Sequence, residues 1–187
     1  IFQVLPLQVT PQMRRKAKIV NFGILYGISP YGLSRDMGIS QKEAEEYIQR
    51  YFERYPKVKE YIDRTLEKAR KQRYVTTLMG RKRPLPEILV SNRKRREFAE
   101  RTAINSPIQG GAADLIKLSM VYCSFNYYAE YWHAYIILQI HDELLLETPE
   151  NQIEMARKIV KQEMEQVMKI SVPLIVNTKI GKNWGDM

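Results

Sequence analysis

The chain has 187 residues, 44% of them apolar, and a formal net charge of +9. That suits a globular protein of one substantial domain or two small lobes, and its single cysteine, Cys123, excludes a disulfide framework or a cysteine-rich metal site. No apolar run is long enough to span a bilayer and no signal-peptide pattern is present, so a soluble, cytoplasmic protein is expected. The first residue is Ile1 rather than Met, which suggests a processed, trimmed or excised piece of a longer protein.

Residues 1–101 carry 23 Lys and Arg against 11 Asp and Glu, a net of +12, whereas residues 102–187 carry 7 against 10, a net of −3. The two parts face different partners, and clustered positive charge favours a polyanion such as nucleic acid or nucleotide phosphates.

In chain order, Thr10 and Pro11 read as N-cap and first position of a helix running through Arg14, Lys18 and Phe22 to Tyr26, stopping near Gly27. Ser40 with Glu43 forms a capping box for a second helix, interrupted at Pro56. An amphipathic helix follows from Val58 to about Lys71, then a strand from Tyr74 to Met79, Gly80 and the basic-proline run RKRPLP. A helix is predicted over Asn92–Asn105, a break at Ser106-Pro107, and a further apolar helix from about Gly111 into residues 120–128. Residues 135–140 and 143–147 read as hairpin arms about a tight turn. Glu150 to about Met168 is predicted helical and Val172–Ile180 a final strand. The expected fold class is α+β, a helical basic lobe followed by a smaller α+β lobe.

Three stretches bear chemistry. In RRKAKIVNFGILYG, Arg14, Lys18 and Phe22 are four apart, each about 40° around a helix from the last, and Tyr26 continues that face. Two cations followed by two aromatics suit a phosphate tail at one end and a flat ring at the other, although a solvated basic turn followed by an aromatic core face fits the same spacing. In ERTAINSPIQGGAADLIK, Arg101, Asn105 and Gln109 are also four apart but straddle Pro107, which puts a strict helical face in doubt. Arg101 paired with Glu97, and Asn105 capping the next helix, is the competing structural reading. In QIHDELLLE, Asp142 and Glu143 sit between apolar arms, so they are either solvated at a turn or await a cation.

Together these strings resemble the family A DNA polymerases, in the family's order and at family-like spacing. RRKAKIVNFGILYG resembles the family's fingers helix, R-x3-K-x3-F/Y-x3-Y-G, ERTAINSPIQGGAADLIK its palm-helix segment, and QIHDELLLE its catalytic hairpin. The resemblance implies a fingers subdomain over residues 1–92 and a carboxy-terminal palm portion with an antiparallel catalytic hairpin over 93–187. It implies template-directed DNA synthesis, transferring dNMP from dNTP to a primer 3′-hydroxyl by a two-metal mechanism.

By the same resemblance Arg14 and Lys18 hold the triphosphate, and Lys18 supplies a proton to departing pyrophosphate. Phe22 packs on the incoming sugar and base, and Tyr26 stacks near the templating position and moves when the fingers close. Phe at position 22 resembles members that discriminate against dideoxynucleotides. Arg101, Asn105, Gln109 and His141 fall on primer-template positions; a donor meeting the minor-groove acceptors common to all base pairs tests pair shape without reading sequence. His141 as a structural histidine, and Asp114 with Lys117 as a structural or surface pair, are the bland alternatives.

Asp142 is implied as a ligand of Mg2+, with Glu143 a weaker or outer ligand, in a two-ion site shared with a carboxylate outside this chain. The implied partners are primer-template DNA, dNTP, and an amino-terminal polymerase segment or chain carrying the other metal-binding Asp, with no membrane involved. Alone the chain would be inactive, as the carboxy-terminal piece of a longer or split polymerase. The alternatives are a catalytically inactive polymerase-derived nucleic-acid-binding module and a metal-dependent nuclease. RKR at 81–83 and RKRR at 93–96 read as phosphate-backbone contacts or a solvated face. Tyr127, Tyr128, Tyr131 and Trp132 read equally as core or as an interface.

Overall fold

A computed structural model of the chain describes residues 4–130 and 133–186. It divides into two compact units, Ile1–Gln109 and Gly110–Met187.

In the first unit each helix starts where its cap residues dictate. Helix α1, Pro11–Leu25, is capped by the Thr10 hydroxyl, which accepts from the Met13 N–H at 3.2 Å, and the chain turns out of it at Gly27 with φ +71°. Helix α2, Pro30–Met37, was not foreseen, yet it repeats the same device: the Ser29 hydroxyl accepts from Gly32 N–H at 3.1 Å, Pro30 opens the helix, and Gly38 closes it at φ +66°. Helix α3, Gln41–Arg54, has the expected capping box, and the hydrogen bonds from Ser40 hold the Glu43 carboxyl below its ordinary pKa. Helix α4, Pro56–Gln72, ends at Arg73, which takes a left-handed φ of 64°. Val20, Ile24, Leu33, Met37, Ala44 and Tyr51 form the core among the first three helices.

Strand β1 is shorter than expected, Tyr74–Thr76, and pairs antiparallel with β2, Lys82–Pro84, a strand hidden in the sequence by its cations and proline. Pro84 lies at the strand end of a two-stranded ribbon, where a missing N–H is tolerated. Val75, Leu85, Ile88, Ala69, Ala99 and Ala103 form a second core.

The expected break at Ser106-Pro107 does not occur: helix α5 runs continuously over Arg93–Glu130 with Pro107 inside it. Proline removes one N–H, the one Ala103 would receive, but leaves the helical bonds on either side intact. Tyr61 on α4 donates its hydroxyl to the neighbouring Ile104 carbonyl at 3.2 Å, a tertiary bond made beside the proline. Long flanking helix and this contact override the local signal.

In the second unit, β3, Tyr135–Ile140, and β4, Glu143–Glu147, form the foreseen hairpin, with Ile137 the extra residue in a register shift between Ile136 and Leu138. Helix α6, Ile153–Gln166, follows a 3-10 turn at Glu150–Gln152 and packs Ala156 and Val160 with Cys123 and Ala134. Val172–Ile180 is not a strand, correcting the sequence expectation. The Val176 N–H donates to the Glu165 carboxylate at 3.0 Å instead of to a neighbouring strand, and Val172, Ile175 and Ile180 are exposed. β-branched residues favour a strand only where an edge is there to pair.

The architecture is α+β, predominantly helical with two small antiparallel sheets. Among the described residues no helix is long and apolar enough to cross a membrane. Tyr131 and Trp132 of the aromatic cluster lie outside the described residues, as do the side chains of Tyr127 and Tyr128.

Candidate active-site residues

On α1, Arg14, Lys18, Phe22 and Tyr26 are all exposed, with Phe22 at 49% and Tyr26 at 40% relative accessibility. The aromatic half of the stripe is therefore not a core face; the buried side of α1 is Val20 and Ile24. The Phe22 and Tyr26 rings stack, 6.1 Å between centroids and 18° between planes. No acid among the described residues forms an ion pair with Arg14 or Lys18. Two uncommitted cations beside two exposed, stacked rings make a surface for an anionic ligand carrying a flat group.

The continuity of α5 restores the helical face that Pro107 had put in doubt, so Arg101, Asn105 and Gln109 follow one another by about 40° per step. The Arg101–Glu97 pairing does not form: Arg93 donates to Glu97 at 2.7 Å and is the main cause of that carboxyl's lowered pKa. Asn105 lies inside α5 and caps nothing; its Oδ1 is buried without a hydrogen-bond partner among the described residues. Gln109 Nε2 donates to the Tyr26 hydroxyl at 3.3 Å. Beside it, Gly27 lies so close to α5 that a Cβ there would sit 3.1 Å from Arg101 Cγ, and its positive φ already favours glycine. The first unit thus brings the end of α1 onto the Arg101–Gln109 face.

In the second unit, His141 and Asp142 form the two-residue turn between β3 and β4, and Glu143 begins β4 opposite Ile140. His141 takes φ +52°, a region sparsely used by side-chain-bearing residues, and its carbonyl accepts from Gln139 Nε2 at 2.7 Å. Both carboxylates are exposed, so the adjacent acids carry no burial penalty. They are hard oxygen donors of the kind Mg2+ takes, but no group of three or more His, Cys, Asp or Glu among the described residues is arranged to hold a metal. Two adjacent exposed carboxylates are what the described residues of this hairpin offer such an ion.

The other basic runs are mostly engaged. Arg93 pairs with Glu97, Arg95 with Glu87, and Arg96 donates to the Val90 carbonyl at 3.3 Å, while Lys82 lies 4.9 Å from the centre of the Tyr74 ring. Asp114 is buried, at 7% relative accessibility, whereas Lys117, one turn on, is exposed. Sequence reasoning missed the Tyr51 hydroxyl, which donates to Asn21 Oδ1 at 2.8 Å; nothing in the spacing of residues 30 apart signalled it.

Residues 1–186 match the model for DNA polymerase family A. The chain is 52% identical over 184 residues to a DNA polymerase I of Caldicellulosiruptor bescii, covering 98% of this chain and 22% of the relative. It is 49% identical over 186 residues to the DNA polymerase I of Bacillus caldotenax, covering 100% of this chain and 21% of that protein. This chain therefore spans about a fifth of the length of these relatives. Among solved structures, the POL domain of Pol1 from M. smegmatis in complex with DNA primer-template and dNTP superposes with a TM-score of 0.89 at 40% identity, over 92% of this chain and 30% of that one. By sequence along nearly its whole length and by fold, the chain belongs to DNA polymerase family A.

Proposed function

We propose that this chain carries the nucleotide-holding fingers, residues 1–92, and a carboxy-terminal palm portion, residues 93–187, of a template-directed DNA polymerase. The observation that carries the reading is the exposed α1 stripe, two cations without acid partners followed by two stacked rings, in a member of this family. A solved relative of 40% identity whose complex contains primer-template and dNTP supports the same partners here.

In this reading the Arg14 guanidinium grips triphosphate oxygens in bidentate fashion, and Lys18 Nζ adds a point charge and donates a proton to departing pyrophosphate. Phe22 covers the sugar and base, and Tyr26 occupies the neighbourhood of the templating base until the fingers close. Arg101, Asn105, Gln109 and His141 meet the primer-template, the amide donors testing pair shape in the minor groove. Asp142, with Glu143 beside it, contributes carboxylate oxygens to a Mg2+ site. Two bound Mg2+ ions would activate the primer 3′-hydroxyl and neutralise charge on the leaving oxygen. A ligand set of two adjacent carboxylates is the reason to assign a further carboxylate to an amino-terminal polymerase segment or chain.

Primer extension tests this directly. Residues 1–187 alone are expected to extend no primer, the assembly with the amino-terminal polymerase segment to extend it with Mg2+, and Asp142→Asn to abolish extension while the pieces still associate. Robust extension by the chain alone, or full activity of the Asp142→Asn assembly, would overturn the reading. DNA binding without extension by the assembly would favour an inactive binding module, and duplex hydrolysis in a parallel assay would favour a nuclease.

A further inference from the structure

We infer that Asn21 is an additional nucleotide-contacting residue, its carboxamide oriented by Tyr51 so that the amide donors face a phosphate oxygen beside Lys18. The inference rests on the reading of α1 as the nucleotide-holding helix and adds to it a contact and the residue that positions it.

Successive residues of a helix turn by about 100°, which puts Asn21 two turns along α1 from Arg14 and only about 20° from it around the axis. Lys18 lies about 40° to the other side of Arg14, so Asn21 borders the cationic half of the stripe. It also borders the core, because the buried Val20 and Ile24 lie on the adjacent side. Asn21 is itself exposed, but its Oδ1 is taken by the Tyr51 hydroxyl at 2.8 Å.

Tyr51 is a firm anchor. It is 7% exposed, belongs to the core cluster, and its ring meets Tyr55 at 5.0 Å and Phe52 at 5.9 Å between centroids. Burial, followed by the neighbouring Tyr55, pushes its phenol above the ordinary value, so it remains a protonated donor at neutral pH. A phenol that gives its proton to Oδ1 fixes which way the amide faces: the oxygen toward α3 and the two Nδ2 hydrogens away from it. Among the described residues no group accepts those hydrogens. A bond made only to pin α1 against α3 would serve equally with any acceptor on α1. An amide leaves two fixed donors next to two cations, complementary to phosphate oxygen.

The test is single-nucleotide incorporation on a primed template by the polymerase assembly containing this chain, reading KM for dNTP and kcat. Tyr51→Phe and Asn21→Ala are each expected to raise KM about fivefold, the scale of one hydrogen bond, with kcat within about twofold of the parent. The double variant should be no worse than Asn21→Ala, since Tyr51 acts through Asn21. Asn21→Asp keeps an acceptor for Tyr51 but turns charge toward phosphate, so it should melt as the parent does and raise KM more than Asn21→Ala. Lys18→Ala serves as the control. If it raises KM while Tyr51→Phe or Asn21→Ala leaves KM unchanged, or if their effects add, this inference falls and the reading of α1 stands. Should Tyr51→Phe fail to fold, an Asn21→Asp KM equal to the parent's is sufficient to overturn it. If Lys18→Ala also leaves KM unchanged, the reading of α1 falls with it.

Discussion

Gln109 Nε2 donates to the hydroxyl of Tyr26 at 3.3 Å, joining residues 83 apart in sequence. Tyr26 caps α1 and stacks on Phe22, so the bond ties the aromatic half of the α1 stripe to the proposed duplex-facing side of α5. One of the two Nε2 hydrogens is committed to Tyr26, and that bond fixes the direction in which the other points. If Gln109 meets the minor groove as proposed, its binding there would be coupled to displacement of Tyr26 through the orientation of this amide. Tyr26→Phe should release Gln109 and tighten primer-template binding, by up to about tenfold if the whole bond is lost. Gln109→Ala should weaken it. Anisotropy titrations at fixed salt check both, and identical affinities for the two variants would argue against the coupling.

Lys18 is exposed and has no acid partner among the described residues, so removing its charge should cost the fold little, whereas it would cost a triphosphate held there as proposed much more. Lys18→Ala is expected to lower both the chemical rate and the nucleotide affinity, each by roughly tenfold or more, with primer-template binding nearly unchanged. Pre-steady-state incorporation separates the three quantities.

Phe22 offers a ring face and edge but no polar group, and half of it is open to a ligand at 49% accessibility. In Phe22→Tyr the added hydroxyl can replace the polar contact that a dideoxynucleotide loses with its 3′-OH. Discrimination against dideoxynucleotides should fall by about tenfold or more, measured as a ratio of incorporation efficiencies. Equal ratios in both proteins would count against the role proposed for position 22.

Pro107 interrupts hydrogen bonding inside the long helix α5, where proline is intrinsically about 3 kcal/mol less favourable than alanine. The Tyr61 bond to the Ile104 carbonyl lies beside it. Pro107→Ala should raise stability by about 1 kcal/mol or more, short of the full propensity difference because the surrounding packing is already adapted to proline. Urea unfolding measures this, and a destabilised variant would mean that the proline conformation is required by packing.

Cys123 is 2% exposed, and burial, with a smaller contribution from the Glu163 carboxylate, pushes its thiol up to about 11 from 9.0. At pH 8 the folded protein should resist alkylation by iodoacetamide until it is unfolded. The linkage has a definite sign. Above pH 9.0 the unfolded chain releases this proton while the folded one retains it, so the contribution of Cys123 to stability declines from pH 9.0 to about 11. A Cys123→Ala variant should lack that decline, which unfolding curves across the alkaline range would reveal.

Much of the first unit is written locally. Thr10-Pro11 and Ser40 with Glu43 announce α1 and α3, because a cap is a contract between residues three apart. Ser29-Pro30 followed by Gly38 carries the same local signal for α2. The hairpin about His141 and Asp142 follows from alternating β-rich arms around a short turn. The α1 stripe, too, is legible, since a spacing of four needs only a helix to become a face.

What neighbours in sequence can settle is therefore the caps, the periodicity of α1, the hairpin, and the motifs that mark a family A polymerase. The rest depends on residues brought together from afar. Nothing near Pro107 foretells that α5 continues through it, because Tyr61, 43 positions before Ile104, supplies a contact there. Nothing in Val172–Ile180 reveals whether an edge is present to pair with, and β-propensity without a partner makes no strand. The Gln109–Tyr26 and Tyr51–Asn21 bonds span 83 and 30 residues and exist only because packing closes those loops. Local free-energy preferences of a fraction of a kcal/mol to about 1 kcal/mol per residue choose the elements, but hydrophobic burial of whole faces chooses which side chains meet.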